Sequence, residues 1–173
     1  MHRLICGTTM SGKTTLAREM ARQYARAKVP VVVLDELVDP GWVEAGARHV
    51  TDSPEEFLEI FWNGRNYAVF IDEAGDSVGR YDAAMARTAT RGRHWGHRVH
   101  YITQRPSQLA RTVRAQCAEV YAFALEKGDA ETLAAEYLQD ALLECPRLAQ
   151  GEYVHAIRFG RDRKPQATRG KIF

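Results

Sequence analysis

Several features that would place a protein in a membrane or in an oxidising compartment are missing from this sequence. No apolar run approaches the length of a membrane span, about 20 residues. The first residues, MHRLICGTTM, leave no room for the apolar stretch and cleavage site of a signal peptide. The cysteines Cys6, Cys117 and Cys145 are far apart and form no Cys-x-x-Cys pair, which excludes the usual zinc and redox motifs. These absences predict a soluble cytoplasmic protein with reduced thiols.

A large net charge is missing as well. The 173 residues include 24 lysines and arginines and 22 acidic residues, which gives a formal net charge of +2. The hydrophobic fraction of 45% and the charged fraction of 27% are ordinary for a soluble globular protein. The length predicts one domain. We expect this domain at residues 1–160, followed by a flexible basic tail at residues 161–173.

Short apolar segments alternate with amphipathic ones along the chain. Ser53-Pro54-Glu55-Glu56 is typical of a helix start, with Ser53 as the N-cap residue, and Asn63–Gly64 would end this helix. The alternation predicts an α/β fold with a mostly parallel central sheet flanked by helices. Strands are expected at 3–6, 29–34, 67–71, 99–103, 119–125 and, near an edge, 152–159; helices are expected at 13–27, 53–62, from about 81, and at 129–143.

A phosphate-binding loop follows the first predicted strand. Residues 7–14, GTTMSGKT, match the pattern G-x-x-x-x-G-K-[ST]. Its glycines let the backbone wrap around phosphates, Lys13 reaches the β- and γ-phosphates, and the Thr14 hydroxyl binds Mg²⁺. The helix that follows presents its positive end to the same anion. The predicted nucleotide-binding residues are Gly7, Thr8, Thr9, Met10, Ser11, Gly12, Lys13, Thr14 and Thr15.

An acidic pair ends the third predicted strand, YAVFI. We predict that Asp72 is a metal ligand together with Thr14, because a carboxylate at the end of a buried strand would lie near the Mg²⁺. Glu73 is positioned to polarise the attacking water as a general base. An acid beside the metal ligand weakly favours hydrolysis over transfer to an organic acceptor.

The next predicted strand ends in Thr103-Gln104-Arg105-Pro106. Gln104 would lie beside the γ-phosphate if this strand neighbours the one that carries Asp72. It could then sense that phosphate or orient the lytic water. An ordinary loop, with Pro106 starting a helix, is the alternative interpretation.

Positive charge is concentrated between Arg80 and Arg114, where Asp82 is the sole acid. Such an imbalance in a near-neutral protein indicates a polyanion or the phosphates bound by a neighbour, and a solvated helix face is the alternative. Trp95 lies in this stretch and either packs or stacks on nucleic acid. The arginines are Arg80, Arg87, Arg91, Arg93, Arg98, Arg105, Arg111 and Arg114; a second basic cluster near the end holds Arg158, Arg161, Arg163, Lys164, Arg169 and Lys171.

Residues 91–106, RGRHWGHRVHYITQRP, resemble the FtsK–HerA superfamily of DNA-pumping ATPases, in which an Arg-x-x-Gly stretch precedes a strand ending in Thr-Gln-Arg-Pro. The resemblance runs from about Arg3 to Phe123. It implies a RecA-like P-loop NTPase that binds ATP and Mg²⁺ between the subunits of a ring, usually a hexamer, with duplex DNA in the middle. With this resemblance, we expect the arginines from Arg80 to Arg114 and the basic tail to contact the DNA. It also implies that Gln104 is the γ-phosphate sensor and Arg93 the arginine finger reaching a neighbour's ATP, with Arg91 in reserve.

The small size resembles the minimal genome-packaging ATPases of viruses and the related Zot-like phage ATPases. This resemblance implies packaging of viral DNA with a capsid or portal partner, in the host cytoplasm or associated with the virion. One alternative is a thymidine-kinase-like nucleoside kinase, which shares the loop and Asp72-Glu73-Ala74 but usually carries a four-cysteine zinc site. The other is an ATP-dependent assembly or secretion switch of the Zot type that is not a motor.

Overall fold

A central sheet of eight strands organises the molecule. The computed structural model describes residues 1–160 and 164–173, without the side chains of residues 76–82. The strands are β1 (His2–Cys6), β2 (Val31–Leu34), β3 (His49–Thr51), β4 (Ala68–Ile71), β5 (Arg98–Thr103), β6 (Cys117–Ala122), β7 (Glu152–Ile157) and β8 (Gln166–Lys171).

The strand order is β3-β2-β4-β5-β1-β6-β7-β8. The first six strands in this order are parallel, and β7 and β8 are antiparallel to their neighbours. Because β5 lies between β1 and β4, the carboxyl ends of these three strands meet at one edge of the sheet. The α/β fold with a mostly parallel sheet is therefore confirmed.

Helices cover both faces of the sheet. They are α1 (Lys13–Arg26), α2 (Gly41–Glu44), α3 (Pro54–Asn63), α4 (Ala74–Arg91), α5 (Arg111–Gln116) and α6 (Lys127–Tyr137), with 3₁₀ turns at Gly92–Trp95, Pro106–Gln108 and Asp140–Arg147. No helix among the described residues has the length and apolar character needed to cross a membrane.

Two hydrophobic clusters lie on opposite faces, because successive residues of a strand point to opposite sides. Leu4, Val69 and Tyr101 pack under α3 to α6, whereas their chain neighbours pack under α1 and α2. Every residue of β2 and β4 is buried. This burial on both faces explains why the two segments are apolar throughout instead of alternating.

The start of α3 follows its sequence signal. The Glu56 backbone N–H donates to the Ser53 hydroxyl at 3.2 Å, and Pro54 occupies the first helical position. The helix ends before Gly64, as predicted. The Glu56 carboxylate accepts a hydrogen bond from the Thr51 hydroxyl, which joins the helix start to the end of β3.

A buried polar cluster ties β1, β6 and β7 together. The Glu119 carboxylate accepts hydrogen bonds from Arg3 at 3.2 Å and from His155 at 3.1 Å. Burial acts to raise the pKa of Glu119, but the His155 hydrogen bond and the Arg3 charge outweigh it and hold this pKa at about 2. The carboxylate therefore remains ionised inside the sheet near neutral pH.

Two helix predictions were wrong in part. Helix α4 begins at Ala74 instead of residue 81. The helix predicted at 129–143 ends at Tyr137, because Leu138 adopts a left-handed conformation with φ 54°, and a 3₁₀ turn follows. The predictions also lacked β3, α2, α5 and β8.

The expectation of a flexible basic tail is wrong for residues 166–171. They form β8, whose pairing with β7 runs from Glu152↔Lys171 to Ile157↔Gln166. Arg169 forms an ion pair with Glu144, and Arg158 donates to the Cys117 carbonyl at 3.1 Å. These two arginines therefore bind the protein itself, while Arg161 and Arg163 lie outside the described residues.

Candidate functional site

The loop of residues 7–14 connects β1 to α1 at the carboxyl edge of the sheet. Gly12 has φ 115°, and a Cβ added there would lie 2.5 Å from the Ile172 Cδ1 atom. A Cβ added at Gly7 would lie 2.7 Å from the Phe123 Cβ atom. Both motif glycines are thus required by close packing as well as by backbone conformation.

Lys13 is held inside this loop. Its Nζ donates to the Thr8 carbonyl at 2.9 Å, and only 7% of the residue is exposed. Burial lowers the pKa of Lys13, while the Glu73 and Asp72 charges act to raise it. The ammonium group is therefore positioned where the loop backbone can wrap around an anion.

Asp72 lies across from the loop at the end of β4. Its Oδ2 accepts a hydrogen bond from the Thr14 hydroxyl at 3.5 Å, and its Oδ1 accepts from the Glu73 N–H at 3.0 Å. Burial raises the pKa of Asp72, and the nearby Asp35 and Glu73 carboxylates act in the same direction. The resulting pKa is about 6, although the Glu73 N–H and the Lys13 charge act to lower it. Hard oxygen ligands with an excess of negative charge fit Mg²⁺.

A chain of side chains connects the loop to the acidic pair. The Thr9 hydroxyl donates to the Gln104 Oε1 at 3.2 Å, and the Gln104 Nε2 donates to the Glu73 Oε1 at 3.3 Å. Glu73 adopts a left-handed conformation with φ 47°, which is uncommon for a residue other than glycine. This conformation occurs where β4 turns into α4, and such outliers cluster at functional sites.

Comparisons with known proteins agree with this geometry. No family model matches the chain, and no curated protein matches it. The solved structure of B204, the DNA-packaging ATPase from Sulfolobus turreted icosahedral virus, has a TM-score of 0.78 at 18% identity, over 99% of this chain and 98% of that one. The chain therefore has the same fold as B204.

Two further structures have the same fold. The pCW3 conjugation coupling protein TcpA, solved as a monomer with ATPγS, has a TM-score of 0.71 at 14% identity, over 96% of this chain and 59% of that one. The N-terminal domain of zonular occludens toxin from Neisseria meningitidis has a TM-score of 0.56 at 16% identity, over 99% and 94%. The resemblance inferred from the Thr-Gln-Arg-Pro strand end is thus confirmed at the level of fold.

The site contains one acidic group that the sequence prediction missed. Asp35 follows β2, is 5% exposed, and accepts hydrogen bonds from the Leu37 and Asp39 N–H groups at 3.1 and 2.9 Å. Its charge helps to raise the pKa of Asp72. The signal was present, since Asp35 follows an apolar strand just as Asp72 does.

A second group of residues lies against the opposite side of the loop. The Gln150 Nε2 donates to the Met10 carbonyl, and the Gly151 N–H donates to the Ser11 carbonyl, both at 3.0 Å. Next to these contacts is a pocket of about 320 Å³, which is lined by Gln150 and by residues of the phosphate loop. Its lining is Met10, Gly12, Lys13, Thr14, Thr15, Gln150 and Phe173.

The predicted arginine fingers lie far from this site within one chain. Arg91 ends α4 and Arg93 lies in the 3₁₀ turn Gly92–Trp95; both are exposed. This turn precedes β5, whereas Gln104 follows it, and a strand of this length spans about 20 Å. The structure therefore does not bring Arg91 or Arg93 together with Lys13.

Trp95 fixes the turn that carries Arg93. Its Nε1 donates to the Trp62 carbonyl at 3.1 Å, and its ring contacts the Trp62 ring at a centroid distance of 5.1 Å. The Arg65 guanidinium lies 5.0 Å from the Trp95 ring centroid. Of the two interpretations of Trp95, these contacts favour packing.

Two arginines of the basic stretch are neutralised by acids that follow it in sequence. Arg114 is buried, pairs with Glu136 at 2.8 Å and donates to the Leu109 carbonyl at 2.6 Å. Arg105 pairs with Glu126 and Asp129. The expected DNA contact by Arg114 is therefore wrong, because its guanidinium is committed to the interior.

The remaining arginines of the basic stretch fall into two groups. The Arg80 side chain lies outside the described residues. Five others are exposed on the surface: Arg87, Arg91, Arg93, Arg98 and Arg111.

Proposed function

We propose that this protein is a Mg²⁺-dependent ATPase motor that moves duplex DNA, as a ring of identical subunits, during viral genome packaging. The observation that carries the proposal is the convergence of Lys13, Thr14, Asp72, Glu73 and Gln104 at one edge of the sheet. A loop, a metal-ligand pair, a base and a phosphate sensor are the parts that P-loop hydrolysis requires. We assign one role to each of these parts.

The loop binds the triphosphate. Backbone N–H groups of residues 8–14 and the N-terminus of α1 face the anion. The Lys13 ammonium exchanges its contact with the Thr8 carbonyl, now 2.9 Å, for the β- and γ-phosphate oxygens. Lys13 thereby offsets the negative charge that accumulates on the leaving oxygen in the transition state.

Thr14 and Asp72 would hold the magnesium ion, which supplies charge neutralisation between the β- and γ-phosphates when bound. The Thr14 hydroxyl and the Asp72 carboxylate already lie 3.5 Å apart. Asp72 is 8% exposed, so it offers a charge that little water screens.

Glu73 acts as the general base. Its carboxylate takes the proton of the attacking water as the water oxygen bonds to the γ-phosphorus and the bond to the β–γ bridging oxygen breaks. Gln104 donates to Glu73 at 3.3 Å and orients both that carboxylate and the water. Thr9, which donates to Gln104 at 3.2 Å, links this arrangement to the loop that surrounds the phosphates.

Arg93 contacts the nucleotide that is bound by a neighbouring subunit. It lies at the amino end of β5, and the residues that hold its own subunit's nucleotide lie at the carboxyl end. An exposed arginine on a turn that Trp95 fixes is suited to reach across a subunit interface. Such a finger stabilises charge on the transferring phosphoryl group, and Arg91 is the second candidate.

Exposed arginines provide the contacts to DNA. Arg87, Arg98 and Arg111 are exposed at the surface, and such side chains bind phosphates without reading sequence. B204, which the fold matches over 98% of its length, is a DNA-packaging ATPase. We extend that role to this protein, with a capsid or portal partner and a location in the host cytoplasm or the virion.

The test is the steady-state ATP hydrolysis rate at low salt, with and without duplex DNA. We expect stimulation by DNA and loss of turnover in Lys13→Ala. The matched control is Lys127→Ala, which removes a lysine with an 85% exposed side chain at the start of α6 and leaves the rate unchanged. Weak turnover that DNA does not stimulate would contradict the motor and favour the assembly switch. Phosphate transfer to thymidine would instead identify a nucleoside kinase.

A further inference from the structure

The two sides of the phosphate loop differ in chemistry. The sheet order places β4 and β5 on one side of β1 and β6, β7 and β8 on the other. Glu73 and Gln104 follow β4 and β5, so the groups for the γ-phosphate lie on the first side. The opposite side carries Gln150, which precedes β7, and Phe173, which follows β8.

A nucleoside triphosphate carries its base at the opposite end from the γ-phosphate. With that phosphate beside Glu73 and Gln104, the base extends away from these residues and past Thr15. The space in that direction is the pocket of about 320 Å³ that Met10, Thr15 and Phe173 line. This pocket is continuous with the phosphate site, because Gly12, Lys13 and Thr14 also line it, and its Phe173 side is where the base would lie.

Two large apolar side chains stand at the mouth of this pocket. Phe173 is 61% exposed and Met10 is 79% exposed. Exposed apolar side chains that face the same pocket lose this exposure when a planar ring enters between them. Aromatic rings and thioethers are both groups on which a base packs well.

The position of Phe173 is built into the fold. A Cβ added at Gly151 would lie 2.8 Å from the Phe173 Cε2 atom, so the ring packs directly on this glycine. The Ile172 N–H donates to the Gly151 carbonyl, and the Gly151 N–H donates to the Ser11 carbonyl, each at 3.0 Å. Gly151 therefore packs against the Phe173 ring and is hydrogen-bonded to the phosphate loop.

Among the described side chains that line this pocket, the Thr15 hydroxyl and the Gln150 amide oxygen are the polar groups outside the phosphate and metal site that can meet the edge of a base. Lys13 and Thr14 belong to the phosphate and metal site, and the Gln150 amide nitrogen donates to the Met10 carbonyl at 3.0 Å. Stacking is tolerant of base identity, because every base has a π-face. Its strength grows with ring area, which favours purines over pyrimidines.

We propose that Phe173, which lines the same pocket as Met10, is the base-stacking residue of the nucleotide site and that it accepts adenine and guanine alike. This inference rests on the proposed function, because it assumes that the loop binds a nucleoside triphosphate. Stacking area selects the base more than hydrogen bonds to its edge do.

The test is a set of dissociation constants measured by calorimetry for ATP, GTP, CTP and inorganic tripolyphosphate. Tripolyphosphate carries the phosphates without a base. We expect Phe173→Ala to weaken ATP and GTP binding about tenfold, which is within the range for loss of one base–aromatic stack. Tripolyphosphate affinity should stay unchanged, and Phe173→Trp should bind ATP at least as tightly as the original protein.

The control is Phe159→Ala, which removes a 68% exposed ring beyond the other end of β7 and should leave all four constants unchanged. Unchanged ATP affinity in Phe173→Ala would overturn the inference. Equal losses for ATP and tripolyphosphate would overturn it as well, because Phe173 would then only shape the loop. A strong preference of the original protein for ATP over GTP would overturn selection by stacking alone.

The failure of the proposed function has a different signature. In that case the original protein would bind neither ATP nor tripolyphosphate, and Lys13→Ala would change nothing. If Lys13→Ala abolishes binding of both ligands while Phe173→Ala affects neither, the result supports the phosphate-binding site and contradicts the role assigned to Phe173.

Discussion

Glu73 and Asp72 are neighbours to which we assign separate tasks, because their surroundings differ. Asp72 is 8% exposed and accepts a hydrogen bond from the Thr14 hydroxyl. Glu73 has a left-handed backbone conformation, and its carboxylate accepts a hydrogen bond from the Gln104 side chain. A metal ligand needs a fixed oxygen beside the loop. A base needs access to water and a partner that orients it.

Replacing Glu73 with glutamine tests this division. Glu73→Gln keeps the side-chain shape and removes the proton acceptor, so we expect kcat to fall about 100-fold or more while the Kd for ATP changes little. Single-turnover hydrolysis and calorimetric ATP binding, measured on the same sample, separate the two quantities. Glu59→Gln, on the exposed side of α3, is the control for loss of one carboxylate. Normal turnover in Glu73→Gln would remove Glu73 as the base.

At the scale of elements, the sheet is held by polar contacts as well as by its apolar strands. Glu119 of β6 bonds to Arg3 of β1 and His155 of β7 and is 7% exposed. These contacts connect the strand that leads into the phosphate loop to the hairpin of β7 and β8. The cluster therefore contributes to the position of both sides of the nucleotide site.

The pKa of Glu119 predicts a pH dependence of stability. This pKa is lowered from 4.5 to about 2 in the folded protein. A lowered folded pKa means that the contribution is fully present above pH 4.5 and is lost as pH falls towards 2. By linkage the contribution is on the order of 3 kcal/mol near neutral pH.

We expect Glu119→Gln to lower the free energy of unfolding at pH 7 by a few kcal/mol, on the order of the linkage term. The difference from the original protein should shrink as pH falls from about 4.5 towards 2. Urea unfolding at a series of pH values measures both, with Glu59→Gln as the exposed control. A pH-independent difference would show that Glu119 acts through packing instead of charge.

At the scale of the whole molecule, the proposed arginine finger would require more than one copy of the chain. Arg93 and the phosphate loop lie at opposite edges of the sheet, so in this proposal one subunit would not complete its own site. A head-to-tail arrangement would bring one subunit's Arg93 to the next subunit's nucleotide, and such an arrangement closes into a ring when its rotation permits.

Mixing two inactive variants tests this assembly. Arg93→Ala subunits keep an intact nucleotide site, and Lys13→Ala subunits keep an intact finger. We therefore expect the mixture to hydrolyse ATP although each variant alone is nearly inactive, because loss of a finger costs about 10³-fold or more.

The control for this mixing experiment replaces Arg93→Ala with Arg87→Ala, which removes an exposed arginine from α4 and should hydrolyse ATP without a partner. Full activity of a monomeric Arg93→Ala protein, with its mass confirmed by light scattering, would contradict the trans finger.

Local patterns along the sequence determined much of the fold and of the phosphate side of the site. The apolar segments of β2 and β4, the cap at Ser53 and the loop at residues 7–14 each depend on residues close together in the chain. Backbone geometry and burial leave few alternatives for such segments. The carboxylates that follow two of these strands, Asp35 and Asp72, were accessible to the same reasoning.

Only the tertiary structure decided which distant residues meet. The sequence around Arg114 indicates free positive charge, yet its partner Glu136 comes from another helix. Residues 166–171 have no alternating apolar pattern, because β8 is largely exposed and is held by its backbone pairing with β7. That pairing brings Phe173 to the pocket that the phosphate loop lines, so residues about 160 positions apart share one pocket that no local pattern encodes.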